Sequence, residues 1–259
     1  MKILQYNILD GCREEERYQR LSRWLKNGNY DVVGFNELNG WTQTEFAEKM
    51  KDTGFSHSCL FEMETSPYQV GIAAKWPIEV VEMIEEEPIY HGLLHLKINH
   101  VHFIIVHLTP FESEHREKET EQIAESINRI QEPLVLMGDF NTLSPLDETY
   151  YKSRHTYEKL LTKESPTRQH IKDNAINYRP MELLLESGLH DVCADSGTFQ
   201  YSMPTHIKGE LMDPIYLRLD YILVNHYLLE YSPSGEVVRG PDTDTLSDHY
   251  PVQCYFNLK

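Results

Sequence analysis

Short apolar runs recur along the whole chain, and segments with helical periodicity separate several of them. The runs at 2–7, 31–35, 101–106 and 134–137 have the length of buried strands. The segment 15–27 instead places its apolar residues three and four positions apart, as on one face of a helix. This alternation predicts an α/β protein.

The remaining predicted elements follow from the same patterns. They are a helix at 41–53, strands at 69–75 and 78–83, a hairpin of 92–98 and 101–106, a helix at 112–131, a helical turn at 181–185, and last strands at 219–224 and 252–256. Pro133 is expected to end the helix at 112–131. The polar stretch 142–179 predicts a long loop region with short helices.

The 259 residues contain no internal repeat, low-complexity tract or Gly/Ser linker, so a single domain over 1–259 is expected. No run of about 18 apolar residues occurs, which predicts no membrane span. The chain opens directly on an apparent strand rather than a signal peptide, so a cytoplasmic location is expected. No feature indicates an obligatory protein partner.

The charge balance is strongly acidic, with 24 basic and 41 acidic residues and a net charge of −17. A broad positive surface for nucleic acid is therefore not expected. Acidic residues around a metal site add to the negative count, so a nuclease is not excluded by this balance.

Polar side chains stand at the ends of five predicted strands. They are Asn7, Glu37, His107, Asp139 with Asn141, and Asp248 with His249. Sites in α/β sheets form where loops leave the strand ends. The five strand ends therefore predict one shared cleft.

The residue types at these strand ends suit phosphoryl chemistry. Glu37, Asp248 and Asn7 offer hard oxygen ligands, which favour Mg²⁺, with Mn²⁺ as a substitute, over zinc. Such a cation polarises a phosphoryl oxygen and neutralises developing charge. Activation of water then requires a general base, a role open to His or Asp.

Each of these residues also has an ordinary structural explanation. An Asp-x-Asn sequence after a strand, as at Asp139 and Asn141, is more often a turn or helix cap when it occurs alone. A lone histidine such as His107 is more often a core residue. Asp220 opens an apolar strand, where an unpaired carboxylate is costly, and His249 would offset that cost.

The motifs occur in a specific order. The chain carries Asn7, Glu37, Val-His-Leu at 106–108, Gly-Asp-Phe-Asn at 138–141, Arg-Leu-Asp-Tyr at 218–221 and Ser-Asp-His at 247–249. This ordered set resembles the endonuclease/exonuclease/phosphatase superfamily over positions 3–256. The resemblance implies a four-layered α/β sandwich like that of deoxyribonuclease I, with two β-sheets packed face to face and helices outside.

The resemblance also implies roles for the metal-proximal residues. Glu37 would be the principal metal ligand, with Asn7 and Asp248 nearby. Asp139 would orient or deprotonate the attacking water, and Asn141 would hold a phosphate oxygen. Asn36 departs from the Gln that often precedes the metal-binding Glu, a mild change.

Two histidines complete the implied site. His249 would contact the scissile phosphate and be oriented by Asp220, while His107 would stabilise the pentacovalent phosphorus. Apurinic endonucleases usually have Tyr at the place of His107, which favours the other branches. The pair of Asp220 and His249 also resembles a general base with its orienting group, so Asp139 and His249 both remain candidates for the base.

The predicted function is metal-assisted in-line attack of water on phosphorus, with a small phosphomonoester or phosphodiester as substrate. The alternative is an endonuclease or exonuclease acting on DNA or RNA. Candidate substrate contacts lie in the loop region 142–215 and are Arg154, Arg168, Lys172, Arg179, Lys208, Tyr150, Tyr151, Tyr178 and Tyr201.

Two other functions have little support in the sequence. A serine hydrolase lacks support because no Gly-x-Ser-x-Gly elbow is present, and Ser247 directly adjoins Asp248 and His249. A catalytically inactive binding module on the same fold is disfavoured because the set of polar residues is complete.

Overall fold

Two mixed six-stranded sheets dominate the structure. The computed structural model describes residues 1–162, 167–194 and 198–257. Its elements are β1 (Lys2–Asn7), α1 (Glu15–Gly28), β2 (Val32–Asn36), α2 (Gln43–Thr53), β3 (His57–Phe61), β4 (Val70–Ala74), β5 (Ile78–Ile84), β6 (Leu93–Ile98), β7 (Val101–His107), α3 (Ser113–Ile127), β8 (Leu134–Asp139), α4 (Glu148–Ser153), α5 (Thr156–Thr162), β9 (Ile171–Lys172), β10 (Ala175–Ile176), α6 (Arg179–Glu186), β11 (His190–Asp191), β12 (Asp220–Val224), α7 (His226–Leu229), β13 (Ser234–Val237) and β14 (Val252–Tyr255).

The two sheets are built alike. The first has the strand order β13-β14-β1-β2-β4-β3, and the second has the order β11-β12-β8-β7-β6-β5. Each contains one parallel pair near its centre, β1 with β2 and β7 with β8, and the other pairs are antiparallel. The carboxyl ends of these two parallel pairs carry most of the candidate site.

The largest apolar cluster joins the facing surfaces of the sheets. It combines Ile3 and Val32 of the first sheet with Ile105 and Met137 of the second, all buried. Because side chains alternate along a strand, their neighbours Leu4 and Val33 face outward, where they pack with buried residues of α1 and α2. The predicted α/β sandwich is confirmed.

The helices cover the outer faces of the sheets. Helix α1 buries Leu21 and Leu25, which are four positions apart on one face. Helix α2 begins at a Thr42 side chain that accepts a hydrogen bond from the Glu45 N–H at 3.2 Å, and it ends at Gly54 with φ 104°. Among the described residues, no helix is long and apolar enough to cross a membrane.

Several element boundaries differ from those predicted. Helix α3 ends at Ile127 rather than near Pro133, and the turn after it is closed by a hydrogen bond from Ile130 N to Ile127 O. Strand β13 lies between the two strands predicted to be last. It is a four-residue edge strand of low burial with a glycine inside, so its apolar pattern is weak.

Gly138 in β8 is required by the close approach of a neighbouring backbone. A Cβ built at this position would lie 1.9 Å from the carbonyl oxygen of Val106 in β7. We expect Gly138→Ala to lower the free energy of unfolding by about 3 kcal/mol, because two central strands would have to separate. Urea unfolding measures this change. Gly240→Ala is the control, since its Cβ would meet nothing within 4 Å, and equal stability of the two variants would contradict the expectation.

Three buried histidines predict acid sensitivity. Burial lowers the pKa of His91 to about 2, that of His170 to about 3 and that of His95 to about 4. The unfolded chain binds these protons near the ordinary pKa of about 6.5, so it gains protons before the folded state does as the pH falls. We expect these three groups together to lower the free energy of unfolding by up to about 4 kcal/mol per pH unit between about pH 6 and pH 4. The raised pKa values of Glu119 and Asp139 act in the opposite direction.

Urea unfolding at a series of pH values measures this slope. His170→Gln removes one of the three groups and should reduce the slope by about 1.4 kcal/mol per pH unit. The exposed His190 provides the matched control variant, His190→Gln, which should leave the slope unchanged. A slope unaffected by His170→Gln would contradict the assignment.

Candidate active site

Strand register brings the predicted residues to one end of both sheets. In the first sheet Asn7 lies opposite Asn36, the last residue of β2, and Glu37 follows. In the second sheet Asp139 lies opposite His107 on one side and opposite Asp220 on the other. Parallel strands place their carboxyl ends together, which explains why residues distant in sequence meet here.

Asn36 connects the two sheets at this end. Its Nδ2 donates to the carbonyl oxygen of Val106 at 2.9 Å, and its Oδ1 accepts from the backbone N–H of Asp139 at 2.7 Å. The same Oδ1 accepts from Gln5 Nε2. All of these groups are buried, so each bond is costly to lose. The residue that departs from the family's usual Gln therefore aligns Asp139 with the first sheet.

Asn7 bridges two carboxylates. Its Nδ2 donates to Glu37 Oε1 and to Asp139 Oδ2, both at 3.0 Å, and its Oδ1 accepts from the Leu9 N–H at 3.1 Å. The second oxygen of Glu37 accepts from the Asp10 N–H at 2.9 Å. Glu37 has a left-handed backbone with φ 60°, a conformation of the kind that often occurs at functional sites.

The oxygen ligands fit a divalent cation. Asp248 Oδ1 is buried and has no hydrogen-bond partner in the described residues, while its Oδ2 lies 3.8 Å from Lys208 Nζ. A buried carboxylate oxygen without a partner is costly unless a cation compensates it. Asp248, Glu37 and Asn7 carry oxygen donors of the hard kind that Mg²⁺ prefers.

Two buried carboxylates lie beside the imidazole of His249. Its Nδ1 lies 2.7 Å from Asp220 Oδ2 and 3.7 Å from Asp139 Oδ2. One ligand atom from each of these three residues falls within 4.8 Å of the others, a spacing that can hold a metal ion. The short contact of His249 Nδ1 with Asp220 Oδ2 instead indicates a hydrogen-bonded pair at this position, with the imidazole nitrogen already engaged.

Burial and mutual attraction set the charges of His249 and of the carboxylates beside it. Burial lowers the pKa of His249, but the carboxylates of Asp220 and Asp139 outweigh burial and raise it well above its usual value. Burial raises the pKa of Asp139, and Asp220 raises it further, whereas His249 and His107 lower it. The geometry therefore favours a cationic His249 between two carboxylates.

His107 is buried beside Asp139, with Nε2 3.6 Å from Asp139 Oδ2. Burial lowers its pKa, so the imidazole is neutral at neutral pH. Its ring lies 4.8 Å from that of His91 and 6.0 Å from that of Tyr68, measured between centroids. Sequence reasoning missed these two neighbours, because nothing local to His91 or Tyr68 indicates a packing partner so far along the chain.

Asn141 is held by two backbone contacts. Its N–H donates to Asp139 Oδ1 at 3.0 Å, and its Nδ2 donates to the carbonyl oxygen of Leu108 at 3.0 Å. Its φ of 46° is a left-handed conformation that Asn tolerates well. The turn after β8 thus fixes both residues of the Asp-x-Asn motif.

The loop candidates separate into two groups. Lys172 and Arg179 are engaged in ion pairs with Glu117 and Glu186, each at 2.9 Å. Tyr151 is fully buried, and Tyr178 packs on the same apolar cluster. The side chain of Arg168 lies outside the described residues. The others remain near open surface, Lys208 beside Asp248 and Tyr150, Arg154 and Tyr201 around one cavity.

Solved structures show the same fold. The chain is similar to an AP endonuclease from Archaeoglobus fulgidus, with a TM-score of 0.78, 20% identity and complete coverage of both chains. It is also similar to the 3′-5′ exonuclease NExo from Neisseria meningitidis, with a TM-score of 0.68, 20% identity and complete coverage of both. TDP2 from D. rerio in complex with a single-strand DNA product matches with a TM-score of 0.66 and 16% identity, covering 100% of this chain and 99% of that one.

Sequence comparison gives the family. A search against curated proteins returned no match. The model of the endonuclease/exonuclease/phosphatase family matches residues 4–249, which include all eight candidate site residues. The chain therefore belongs to the endonuclease/exonuclease/phosphatase family, a family of metal-dependent hydrolases of phosphoesters.

Proposed function

We propose that this protein is a Mg²⁺-dependent phosphoester hydrolase in which water attacks phosphorus in line with the leaving oxygen. The observation that carries the proposal is the continuous network from Glu37 through Asn7 and Asp139 to the pair of His249 and Asp220. We also propose that residues 1–259 act as one domain, because the two sheets share an apolar cluster and the network crosses between them.

The metal-binding role is assigned to Glu37, Asp248 and Asn7. When bound there, Mg²⁺ supplies charge that polarises a phosphoryl oxygen and neutralises the transition state, a role that Mn²⁺ can also fill. The unpartnered Asp248 Oδ1 supports this assignment. The Asp10 N–H and the Asn7 amide hold Glu37 in place before any cation arrives.

Asp139 is the better general base of the two candidates. A cationic His249 has no lone pair available to accept a proton from water, whereas an ionised Asp139 has. Burial raises the pKa of Asp139, which makes the carboxylate a stronger base than an exposed one. Its Oδ1 and Oδ2 are aligned by Asn141 and Asn7, so its orientation is set in advance.

The remaining groups act on the phosphoryl oxygens. The imidazolium of His249, fixed by Asp220, stabilises the negative charge that builds on them. Neutral His107 and the Asn141 amide are assigned to donate hydrogen bonds to the same group. These donors are buried and positioned in advance, so they require little reorganisation during the reaction.

Two substrate classes are supported. A small phosphomonoester or phosphodiester fits the net charge of −17, which gives no broad positive surface. A nucleic acid is the second candidate, because the structural neighbours include an AP endonuclease and proteins solved with a product DNA hairpin and with single-strand DNA.

Hydrolysis of a substrate panel tests the proposal. The panel contains phosphomonoesters, linear and cyclic phosphodiesters, and single- and double-stranded DNA and RNA, each with Mg²⁺ or Mn²⁺. We expect at least one class to be cleaved at phosphorus by the wild-type protein and not by Asp139→Asn. Absence of hydrolysis across the panel, or equal hydrolysis by Asp139→Asn, would contradict the proposed function.

A further inference from the structure

A cavity of about 480 Å³ opens in the loop region before β12, within the size range of small-molecule sites. Its walls come from the loops that precede β12, from helix α4 and from the segment after β13. The side chains that matter to the argument are four aromatic rings and two guanidinium groups, those of Tyr150, Phe199, Tyr201, Tyr216, Arg154 and Arg239.

The backbone at Tyr201 links this cavity to the catalytic pair. The next residue, Ser202, accepts through Oγ a hydrogen bond from the N–H of Asp220 at 3.1 Å. Its carbonyl oxygen accepts from the N–H of Tyr250 at 2.6 Å, and Tyr250 directly follows His249. The ring of Tyr201 lies 5.8 Å from that of Tyr250. Tyr201, which lines the cavity, is therefore the sequence neighbour of Ser202, and Ser202 bonds to the backbone of Asp220 and of the residue after His249.

The aromatic rings that line the cavity form two contacting pairs. Tyr150 and Phe199 stack with their centroids 3.6 Å apart, and Tyr201 and Tyr216 lie 4.3 Å apart. Tyr216 is 37% exposed, so this ring keeps surface available to a ligand. Planar bases stack on such rings whatever their sequence, because every base has a π-face.

The two guanidinium groups lack an ion-pair partner among the residues that the structure describes. In the described parts of the chain, neither Arg154 nor Arg239 has a carboxylate oxygen within 4.0 Å, although the protein has 41 acidic and 24 basic residues. The nearby Lys159, by contrast, pairs with Asp213 at 2.5 Å. Arg239 lies 4.4 Å from the centroid of the Tyr201 ring, an arrangement that orients the guanidinium plane.

We propose that this cavity binds a nucleobase on its tyrosine rings and an adjoining phosphate through Arg239 and Arg154. The inference rests on the proposed hydrolase function and names its substrate class, the phosphoesters of nucleotides. The shared ligand chemistry is a planar base linked to a phosphate. A free nucleotide ester and the end of a single strand both supply it.

Matched chromogenic diesters test the role of the base in catalysis. Thymidine 5′-(p-nitrophenyl phosphate) and its 3′ isomer carry a base, and methyl p-nitrophenyl phosphate carries none. Water adds to phosphorus and p-nitrophenolate leaves in each case. We expect kcat/KM to be on the order of 10-fold or more higher for at least one thymidine ester, the effect of one stacked base.

Cavity variants should reduce this preference. Tyr216→Leu and Arg239→Gln are each expected to lower the ratio of kcat/KM for the thymidine ester to that for the methyl ester by about 5-fold or more. Tyr255→Leu and Arg129→Gln are the matched controls: Tyr255 is exposed, and Arg129 has no ion pair among the described residues. A wild-type ratio near one, or a ratio unchanged in both cavity variants, would overturn the proposal.

Binding without catalysis separates the two inferences. Fluorescein-labelled oligothymidylate of ten nucleotides is titrated in EDTA and followed by anisotropy, with unlabelled competitors. We expect the Kd to rise on the order of 10-fold in the double variant Tyr216→Leu/Arg239→Gln. Competition by thymidine monophosphate indicates a free nucleotide as the source, and competition only by oligomers indicates a strand.

Two results would count against different parts of the account. Equal Kd values for the wild type and the double variant, or equal competition by deoxyribose 5-phosphate without a base, would overturn the cavity assignment. Absence of hydrolysis of the chromogenic diesters and of every substrate in the panel, with oligothymidylate binding still dependent on Tyr216 and Arg239, would overturn the proposed hydrolase function alone.

Discussion

Asp220→Asn and His249→Ala are each expected to lower kcat/KM by on the order of 10²-fold or more. The reason is the 2.7 Å contact between Asp220 Oδ2 and His249 Nδ1, which orients the ring and raises the pKa of His249. The Asn side chain fills the same space as Asp but carries no charge. His249 would then lose its orientation and much of its positive charge while the fold remains intact.

The double variant distinguishes a functional pair from two separate contributions. Because the residues act as a unit, Asp220→Asn combined with His249→Ala should cost little beyond either single change. Circular dichroism confirms folding, and Asp242→Asn, an exposed acid in the loop before Asp248, is the matched control. Near-normal turnover by His249→Ala on the best substrate would show that the assignment is wrong.

Glu37→Gln is expected to reduce kcat/KM by on the order of 10²-fold at a Mg²⁺ concentration that saturates the wild type. One ligand oxygen becomes an amide nitrogen and one negative charge is lost, so the affinity for the cation falls. Higher Mg²⁺ should restore part of the activity. EDTA should abolish the activity of the wild type, and Mg²⁺ or Mn²⁺ should return it.

Isothermal titration with Mg²⁺ in the absence of substrate gives an independent measure of this effect. The Kd for Mg²⁺ should rise in Glu37→Gln and stay constant in Glu16→Gln, which changes an exposed acid on α1. Full activity of the wild type in excess chelator would contradict the metal-dependent account.

The sequence indicates much of the sandwich and the ends of its strands, because apolar runs and the polar residues that follow them are local signals. The runs that became β1, β7 and β8 are long and buried, so their ends at Asn7, His107 and Asp139 were predicted within a residue or two. Strands β3 and β13 were not predicted, because both lie at sheet edges and their buried and exposed residues alternate weakly.

The contacts between distant segments were harder to predict from the sequence. Nothing in the local sequence shows that Asn36 bonds to Val106 and Asp139 across two sheets, since this depends on how the sheets pack. The pairing of Asp220 with His249 was predicted from the family resemblance and from the cost of an unpaired carboxylate at the start of an apolar strand. The cavity at Tyr201 is lined by loop residues that are distant in sequence, so no local pattern indicates it.

The most direct test of the central claim is the fate of solvent oxygen. The best substrate of the panel is hydrolysed with Mg²⁺ in water enriched in ¹⁸O, and the products are analysed by mass spectrometry. Attack of water on phosphorus places the label in the phosphate product, and Asp139→Asn should lose this reaction. Label in the alcohol product, or unchanged turnover in excess EDTA, would contradict the account.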